Sequence, residues 1–391
     1  MNMVTPKHAV HLIADSATLA DFCGRLAEAP FVTIDTEFLR DKTYWPILCL
    51  VQLAGPNEAA AIDALAEGLD LTPLFELLEN PRVVKVFHAA RQDVEIFVRL
   101  TGKVPSPIVD TQVVAMVCGF GDSASYETLA SKLAGARIDK SSRFTDWSHR
   151  PLTDKQLAYA LSDVTHLRTV YEKLQQRVEK SGRAHWVEDE IAILTDPRTY
   201  RVDPENAWMR LKARSDKPRF LAVLKEVAAW REREAQSRDL PRNRVIKDET
   251  ILEIAAHPPR DAEALSRCRG LSRGFADGKM GDGILAAVQR GLDIPEADIP
   301  RLAARADVPQ GLGPIIELLR VLLKLRCDEN EVAQKLIANA GDLETIAADD
   351  NADVPALRGW RREIFGDDAV KLKHGRLALT AAGKRVKLIE L

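Results

Sequence analysis

Apolar and polar positions follow two different rhythms in the two halves of this chain. In the first half, Phe31–Phe38 and Ile47–Ala54 have the β-branched, apolar character of strands. Ala59–Asp63 is a third short apolar run and Val83–Phe87 a fourth. Between and after them a helical period predicts helices from Ser16, as N-cap, to Ala27, and over Leu71–Glu79, Gln92–Leu100, Tyr126–Leu133 and Asp154–Lys180. Strands clustered early and then mixed with helices predict an α/β unit: a mixed sheet with flanking helices.

After the turn signals at Asp196–Pro197 and Asp203–Pro204 the pattern becomes almost wholly helical. Helices are expected at Glu205–Lys212, Arg219–Ser237, Asp248–His257 and Phe275–Gly291. A second break at Asp293–Pro300 precedes helical runs at Gly313–Leu325, Glu329–Ala340 and Asp342–Ala348. Ala369–Leu372 and Val386–Leu391 read as short β pieces. The expected organisation is three domains: an α/β domain over 1–197 and two small all-α domains over 203–292 and 295–391.

Composition narrows the class. With 391 residues, 46% hydrophobic and 29% charged, the chain has the make-up of a soluble globular protein of two or three domains. The net charge of −3 gives no global sign of nucleic-acid binding, so any such surface must be local. Five widely spaced cysteines without a C-x-x-C pair argue against a disulfide framework or a zinc site. The N-terminus lacks the pattern of a signal peptide and no run approaches a membrane span. A cytoplasmic protein, a monomer without membrane contact, is the expectation.

Three acidic signals interrupt the apolar pattern. Asp35-Thr-Glu37 sits within a strand, where alternation projects both carboxylates from one face. Paired carboxylates beside a core are costly unless a cation lies between them, and hard cations prefer oxygen ligands. Alone, such a triplet more often marks a solvated face. Tyr159 and Asp163 stand four apart on a helix and share one side of it. By themselves they could equally be a half-buried tyrosine beside a surface aspartate. Asp93 lies in the first turns of a helix, where an acid also suits the helix dipole. His88, just before it, reads as a metal ligand, a general base or a structural histidine. Together, four acids and a tyrosine without a His/Cys cluster favour Mg²⁺ or Mn²⁺ over zinc.

The segments around these residues resemble a known family. Phe31-Val-Thr-Ile-Asp35-Thr-Glu37-Phe with the following Arg40–Gln52 is similar to the first motif of the ribonuclease D family. Phe87-His-Ala-Ala-Arg-Gln-Asp93 resembles its second motif, and Tyr159-Ala-Leu-Ser-Asp163 its third. Thr145-Asp-Trp-Ser-His-Arg-Pro-Leu152 is similar to a further family segment. The resemblance covers roughly residues 10 to 180 and points to the tyrosine branch of the Asp-Glu-Asp-Asp 3′-5′ exonucleases, with a ribonuclease H-like sheet. Arg219–Ala256 resembles the helicase-and-ribonuclease-D C-terminal (HRDC) domain, and the region from about 295 looks like a diverged second copy.

The resemblance implies a 3′-5′ exoribonuclease that releases 5′-mononucleotides, with precursor transfer RNA 3′ ends as substrate. It implies that Asp35, Glu37, Asp93 and Asp163 hold two divalent cations, Mg²⁺ or Mn²⁺, with Asp35 bridging them, and that Tyr159 orients the attacking water. Two alternatives remain: a DNA exonuclease of the same superfamily and a non-catalytic RNA-binding scaffold. For RNA contacts, Phe38, Tyr44, Trp45, Phe144 and Trp147 are candidate stacking residues, and His88 belongs to the same candidate set. The cluster Arg231, Arg233, Arg238, Arg242, Arg244 and Lys247 could track phosphates. Core packing and an ordinary solvated helix are the competing readings.

Overall fold

The computed structural model describes residues 12–213, 215–299, 301 and 311–391. A six-stranded sheet organises the first half: β1 (Leu12–Ile13), β2 (Phe31–Leu39), β3 (Ile47–Ala54), β4 (Ala59–Ile62), β5 (Val84–Phe87) and β6 (Ile108–Asp110), in spatial order β1-β4-β3-β2-β5-β6. β4 runs parallel to β1 and antiparallel to β3, while β2, β5 and β6 are parallel neighbours. The sheet is therefore mixed, as the early clustering of strands implies. β2 is central, which is why Val32, Thr33 and Ile34 are all buried although they alternate in direction.

The described residues form two compact units. The first takes in the chain up to Glu37, Leu48–Thr199 and the C-terminal helices; the second joins Phe38–Ile47 to the helical stretch that begins at Tyr200. In the first unit a 28-residue helix, Asp154–Ser181, lies beside the sheet. Its start is fixed by a capping box in which Thr153 and Gln156 satisfy each other's backbone amides. Just upstream, Arg150 donates to both carboxylate oxygens of Asp63 after β4 and to the Cys49 carbonyl in β3, which pins the helix entry to the sheet. Lys85 in β5 is fully buried and donates to the carbonyls of Asn80, Val83 and Ser106 at 2.8, 2.7 and 2.5 Å, so three backbone acceptors stand in for a counter-ion.

The C-terminal helices, Gly313–Glu329, Gln334–Ile337, Ala340–Ala348 and Asp367–Lys373, share a core with Trp186 and Val117. Trp186 and Trp360 stack with centroids 4.2 Å apart. Gly119 has φ +76°, and an added Cβ there would lie 2.8 Å from the Glu331 carbonyl oxygen. Only glycine permits both that backbone angle and that approach.

The second unit packs around the helix Pro218–Arg238, which is crossed closely by Lys279–Asp293. A Cβ on Gly291 would sit 2.7 Å from the Val223 backbone, so the absence of a side chain sets this spacing. Arg231 and Glu232 are both buried in the central helix. Arg231 pairs with Asp248, while Glu232 receives Arg242 and the Tyr44 hydroxyl.

Several boundaries differ from the pattern-based expectation. Asp15, not Ser16, caps the first helix, accepting from the Thr18 amide at 2.9 Å. Tyr126–Leu133 becomes a short helix followed by a π-helical turn, and Glu205–Lys212 becomes a 3-10 helix over Pro204–Arg210. Phe275–Gly291 breaks at Asp277–Gly278, and Glu329–Ala340 breaks where Glu331 adopts φ +47°. Ala369–Leu372 is helical, not β: Asp367 and Asp368 favour the helix start, and Ala369 and Leu372, three apart, bury one face. The hairpin instead pairs Leu377–Ala382 (β7) with Arg385–Glu390 (β8), turning at Gly383 with φ +63°. No helix among the described residues is long and apolar enough to cross a membrane. All five cysteines are free.

Candidate active site

Strand alternation in β2 places Thr33, Asp35 and Glu37 on one face. Thr33 donates its hydroxyl to the Val164 carbonyl at 2.8 Å, so this face of the strand is registered against the long helix at the level of Asp163. Oxygen atoms of Asp35, Glu37 and Asp163 consequently lie within 4.8 Å of one another, the spacing of a site that could hold a cation. These residues are 128 positions apart at the extremes, and the Thr33–Val164 bond is what closes that distance.

Asp93 comes from a different element, a helix that follows β5. The Thr36 hydroxyl, which alternation turns away from Asp35 and Glu37, donates to the Asp93 carboxylate. Asp93 is buried in the first turn of the helix Arg91–Thr101. The preceding turn, with Ala89 at φ +57°, is held by Asp110, which accepts from the amides of Ala89 and Ala90 at 2.9 Å each. Asp93 is not one of the three residues in the tight cluster, yet its charge acts on Asp35 and Glu37.

The electrostatics of the pocket are those of carboxylates crowded in a place of low polarity. Burial, then repulsion from Asp93, Asp163 and Glu37, holds Asp35 well above the ordinary carboxylate range. Burial followed by repulsion from Asp163 and Asp93 pushes Glu37 up to about 9. Asp163 is pushed up to about 7 by burial, against the opposing effects of the Tyr159 hydrogen bond and the charge of Arg143. Asp93 is also raised to about 7 by burial, with the Thr36 hydroxyl opposing. Divalent cations would replace the protons such a group otherwise demands, so the donor set suits a hard metal ion.

Tyr159 lies one helical turn from Asp163 and hydrogen-bonds to it. Burial, then the nearby Asp163, raises its pKa, so the phenol stays protonated and can donate. Trp147 is buried with its ring 6.1 Å from that of Tyr159. His88 places Nδ1 3.0 Å from the Thr111 hydroxyl, which itself donates to the Phe87 carbonyl. Burial lowers the His88 pKa, so the ring is neutral.

The remaining candidates, apart from the exposed Phe144 of the first unit, belong to the second unit. Tyr44 is only 4% exposed and packs in that unit's core, its hydroxyl bonded to Glu232 and its ring 4.7 Å from the Arg242 guanidinium. Trp45 is half-buried against the same core, and Phe38 is half-buried. Much of the basic cluster is neutralised: Arg231 by Asp248, Arg233 by Glu205, Arg238 by Glu234 and Arg242 by Glu232. Arg244 and Lys247 are exposed with no ion partner among the described residues.

Sequence reading missed Thr36, Asp110, Tyr126 and Arg143. Tyr126 donates to the Ser162 carbonyl at 2.7 Å, and its ring lies 5.7 Å from that of His88. Strand alternation shows only that the Thr36 hydroxyl faces away from the two acids; its partner Asp93 lies too far along the chain to be read. Arg143 lies in a polar loop without periodicity and gave no signal.

Comparison with known proteins identifies the family. A model described as 3′-5′ exonuclease matches residues 10–179, and one described as HRDC domain matches 220–288. The chain is 53% identical over 380 residues to ribonuclease D of Acidiphilium cryptum, covering 97% of each. It is 54% identical to that of Nitrobacter hamburgensis, covering 97% of this chain and 99% of the relative. The crystal structure of Escherichia coli RNase D, an exoribonuclease involved in structured RNA processing, matches with a TM-score of 0.79 and 29% identity over 94% of this chain and 99% of that one. With its mixed α/β core, its acidic pocket and relatives above half identity along nearly its whole length, the chain belongs to the ribonuclease D family of 3′-5′ exoribonucleases.

Proposed function

We propose that Asp35, Glu37, Asp93, Tyr159 and Asp163 are the catalytic residues, and that the chain trims 3′ extensions from structured RNA precursors, transfer RNA among them, one 5′-mononucleotide at a time. The observation that carries this reading is the convergence of Asp35, Glu37 and Asp163 oxygens within 4.8 Å. Asp35, Glu37 and Asp163 would hold one divalent cation; Asp35 would share a second with Asp93. When bound, two Mg²⁺ or Mn²⁺ ions supply Lewis-acid activation at the scissile phosphodiester and offset charge on the departing 3′ oxygen.

The chain's own side chains do the rest. Tyr159 keeps its proton and is held by Asp163, so it orients the attacking water by hydrogen bonding and does not act as the base. Thr36 and Asp110 are positioning residues: one fixes the Asp93 carboxylate, the other the turn that presents it. RNA over DNA is favoured by the ribonuclease D relatives, which match along nearly the whole chain. The HRDC match over residues 220–288 of this chain would add a nucleic-acid-binding module of the kind expected for a structured substrate.

Gel analysis of a 3′-extended transfer RNA tests the reading, beside single-stranded RNA and DNA of one sequence, with Mg²⁺, Mn²⁺ or chelator. Stepwise shortening of the extension in either metal, none in chelator and slower decay of DNA is the expected result. Cleavage in chelator, or DNA degraded faster than RNA, would refute it.

A further inference from the structure

Next to the acidic pocket the loop Asp139–His149 presents two adjacent side chains, Arg143 and Phe144, that pack against each other. Phe144 is 91% exposed, although it sits in a loop whose frame is well tied down. The Arg143 amide donates to the Lys140 carbonyl at 3.2 Å, and the Thr145 amide and hydroxyl both reach the Ser142 carbonyl. Gln156, inside the capping box of the long helix, donates to Thr145 Oγ1 at 3.2 Å and to the Asp146 carbonyl at 3.4 Å. The loop is thus fastened to the first turn of the helix that carries Tyr159 and Asp163. An aromatic ring held in water by a braced loop forgoes about 2 kcal/mol of burial, which singles it out from a ring that has simply failed to find a core.

Arg143 supplies the second half of the observation. Its guanidinium lies 5.1 Å from the centroid of the Phe144 ring, and it makes no ion pair within 4.0 Å among the described residues. It is also the cation whose charge reaches Glu37 and Asp163. An arginine that feels an acidic pocket without closing onto its carboxylates is available for another anion. Guanidinium recognises phosphate oxygens bidentately, and aromatic faces stack on bases with little regard to sequence.

We propose that Arg143 and Phe144 form the grip on the end of the RNA strand, Arg143 pairing with a backbone phosphate oxygen and Phe144 stacking on the 3′-terminal base. The proposal rests on the exoribonuclease reading of the acidic pocket. It explains how an enzyme of net charge −3 gathers a polyanion at a pocket of carboxylates: one cation and one π-face at the rim provide local attraction.

The test is steady-state degradation of single-stranded RNA by the full-length protein in Mg²⁺, with and without an abasic 3′-terminal nucleotide. Phe144→Ala raises KM about tenfold on ordinary RNA and leaves kcat nearly unchanged. On the abasic strand, wild type shows that same loss and Phe144→Ala adds none to it, while Phe144→Trp stays close to wild type throughout. Arg143→Gln lowers kcat/KM and flattens its dependence on log salt by about 0.7, the slope of one single-strand phosphate contact; Arg143→Lys keeps the salt slope. If Phe144→Ala costs the same factor on both strands, or Arg143→Gln leaves the salt slope unaltered, the grip is refuted. Asp163→Asn run alongside separates the two levels. An active Asp163→Asn variant would overturn the site assignment itself, whereas an inactive one with unaffected Arg143 and Phe144 variants overturns the grip alone.

Discussion

Replacing Asp163 with asparagine should abolish hydrolysis and, in the absence of metal, make the protein more stable. Asparagine matches aspartate in shape and can still accept the Tyr159 hydroxyl, but it cannot ionise. The Asp163 carboxyl is raised from 3.8 to about 7 in the folded chain. At about 1.36 kcal/mol per tenfold change, holding its ionised form in the fold costs roughly 4 kcal/mol in the extreme. Relaxation and water entry reduce this, so a gain of about 1–3 kcal/mol is expected at pH 8 in chelator. The sign follows from linkage: a carboxyl with a raised folded pKa contributes stability that is complete below 3.8 and disappears as pH rises through about 7. The benefit of Asp163→Asn therefore grows across that window and at pH 5 should be roughly a third of its value at pH 8. Urea unfolding at both pH values in chelator, and again with Mg²⁺, measures it. Mg²⁺ should narrow or reverse the difference, because wild type gains more from binding it. A variant less stable than wild type at pH 8 in chelator, or a difference independent of pH, would show that burial does not hold the Asp163 carboxyl above its ordinary range.

Lys85→Met should lower stability by about 3 kcal/mol, since one buried and two part-buried carbonyls lose their donor while the volume stays filled; chemical denaturation measures it, and a loss under about 1 kcal/mol would argue against the role of these bonds. Gly119→Ala should cost about 1–3 kcal/mol, because its φ of +76° and the 2.8 Å approach to Glu331 both exclude a Cβ; a melting temperature equal to wild type would contradict this. Tyr159→Phe should slow hydrolysis about a hundredfold with melting temperature and RNA affinity nearly unchanged, as expected of a donor that positions water; unchanged single-turnover rates would remove Tyr159 from the mechanism.

The core elements were legible because their signals are local. Ile47–Ala54 is apolar except for Gln52, in keeping with a strand buried on both faces, and Thr153 with Gln156 spells a helix start. Asp35, Glu37, Tyr159 and Asp163 stood out because alternation and the i, i+4 spacing fix the faces they occupy. What stayed hidden depends on contacts distant in sequence. Nothing near Thr36 indicates that its hydroxyl serves Asp93, 57 residues away. Tyr44 reads like a stacking aromatic, yet Glu232, 188 residues on, draws it into the core of the second unit. The positive run after Arg231 looks like a phosphate track until the acids interleaved with it are seen to pair with most of it. The Ala369–Leu372 error has a different source: four residues are too few for periodicity to separate strand from helix, and the aspartates before them decided the outcome.

If the reading is right, oxygens of Asp35, Glu37 and Asp163 together surround a divalent cation. Crystals soaked in Mn²⁺ and measured for anomalous scattering test it directly. A peak about 2.0–2.2 Å from oxygens of all three carboxylates, lost in Asp163→Asn, is the expected result. A peak at any other cluster with this pocket empty, or one that persists unchanged in the variant, would contradict it.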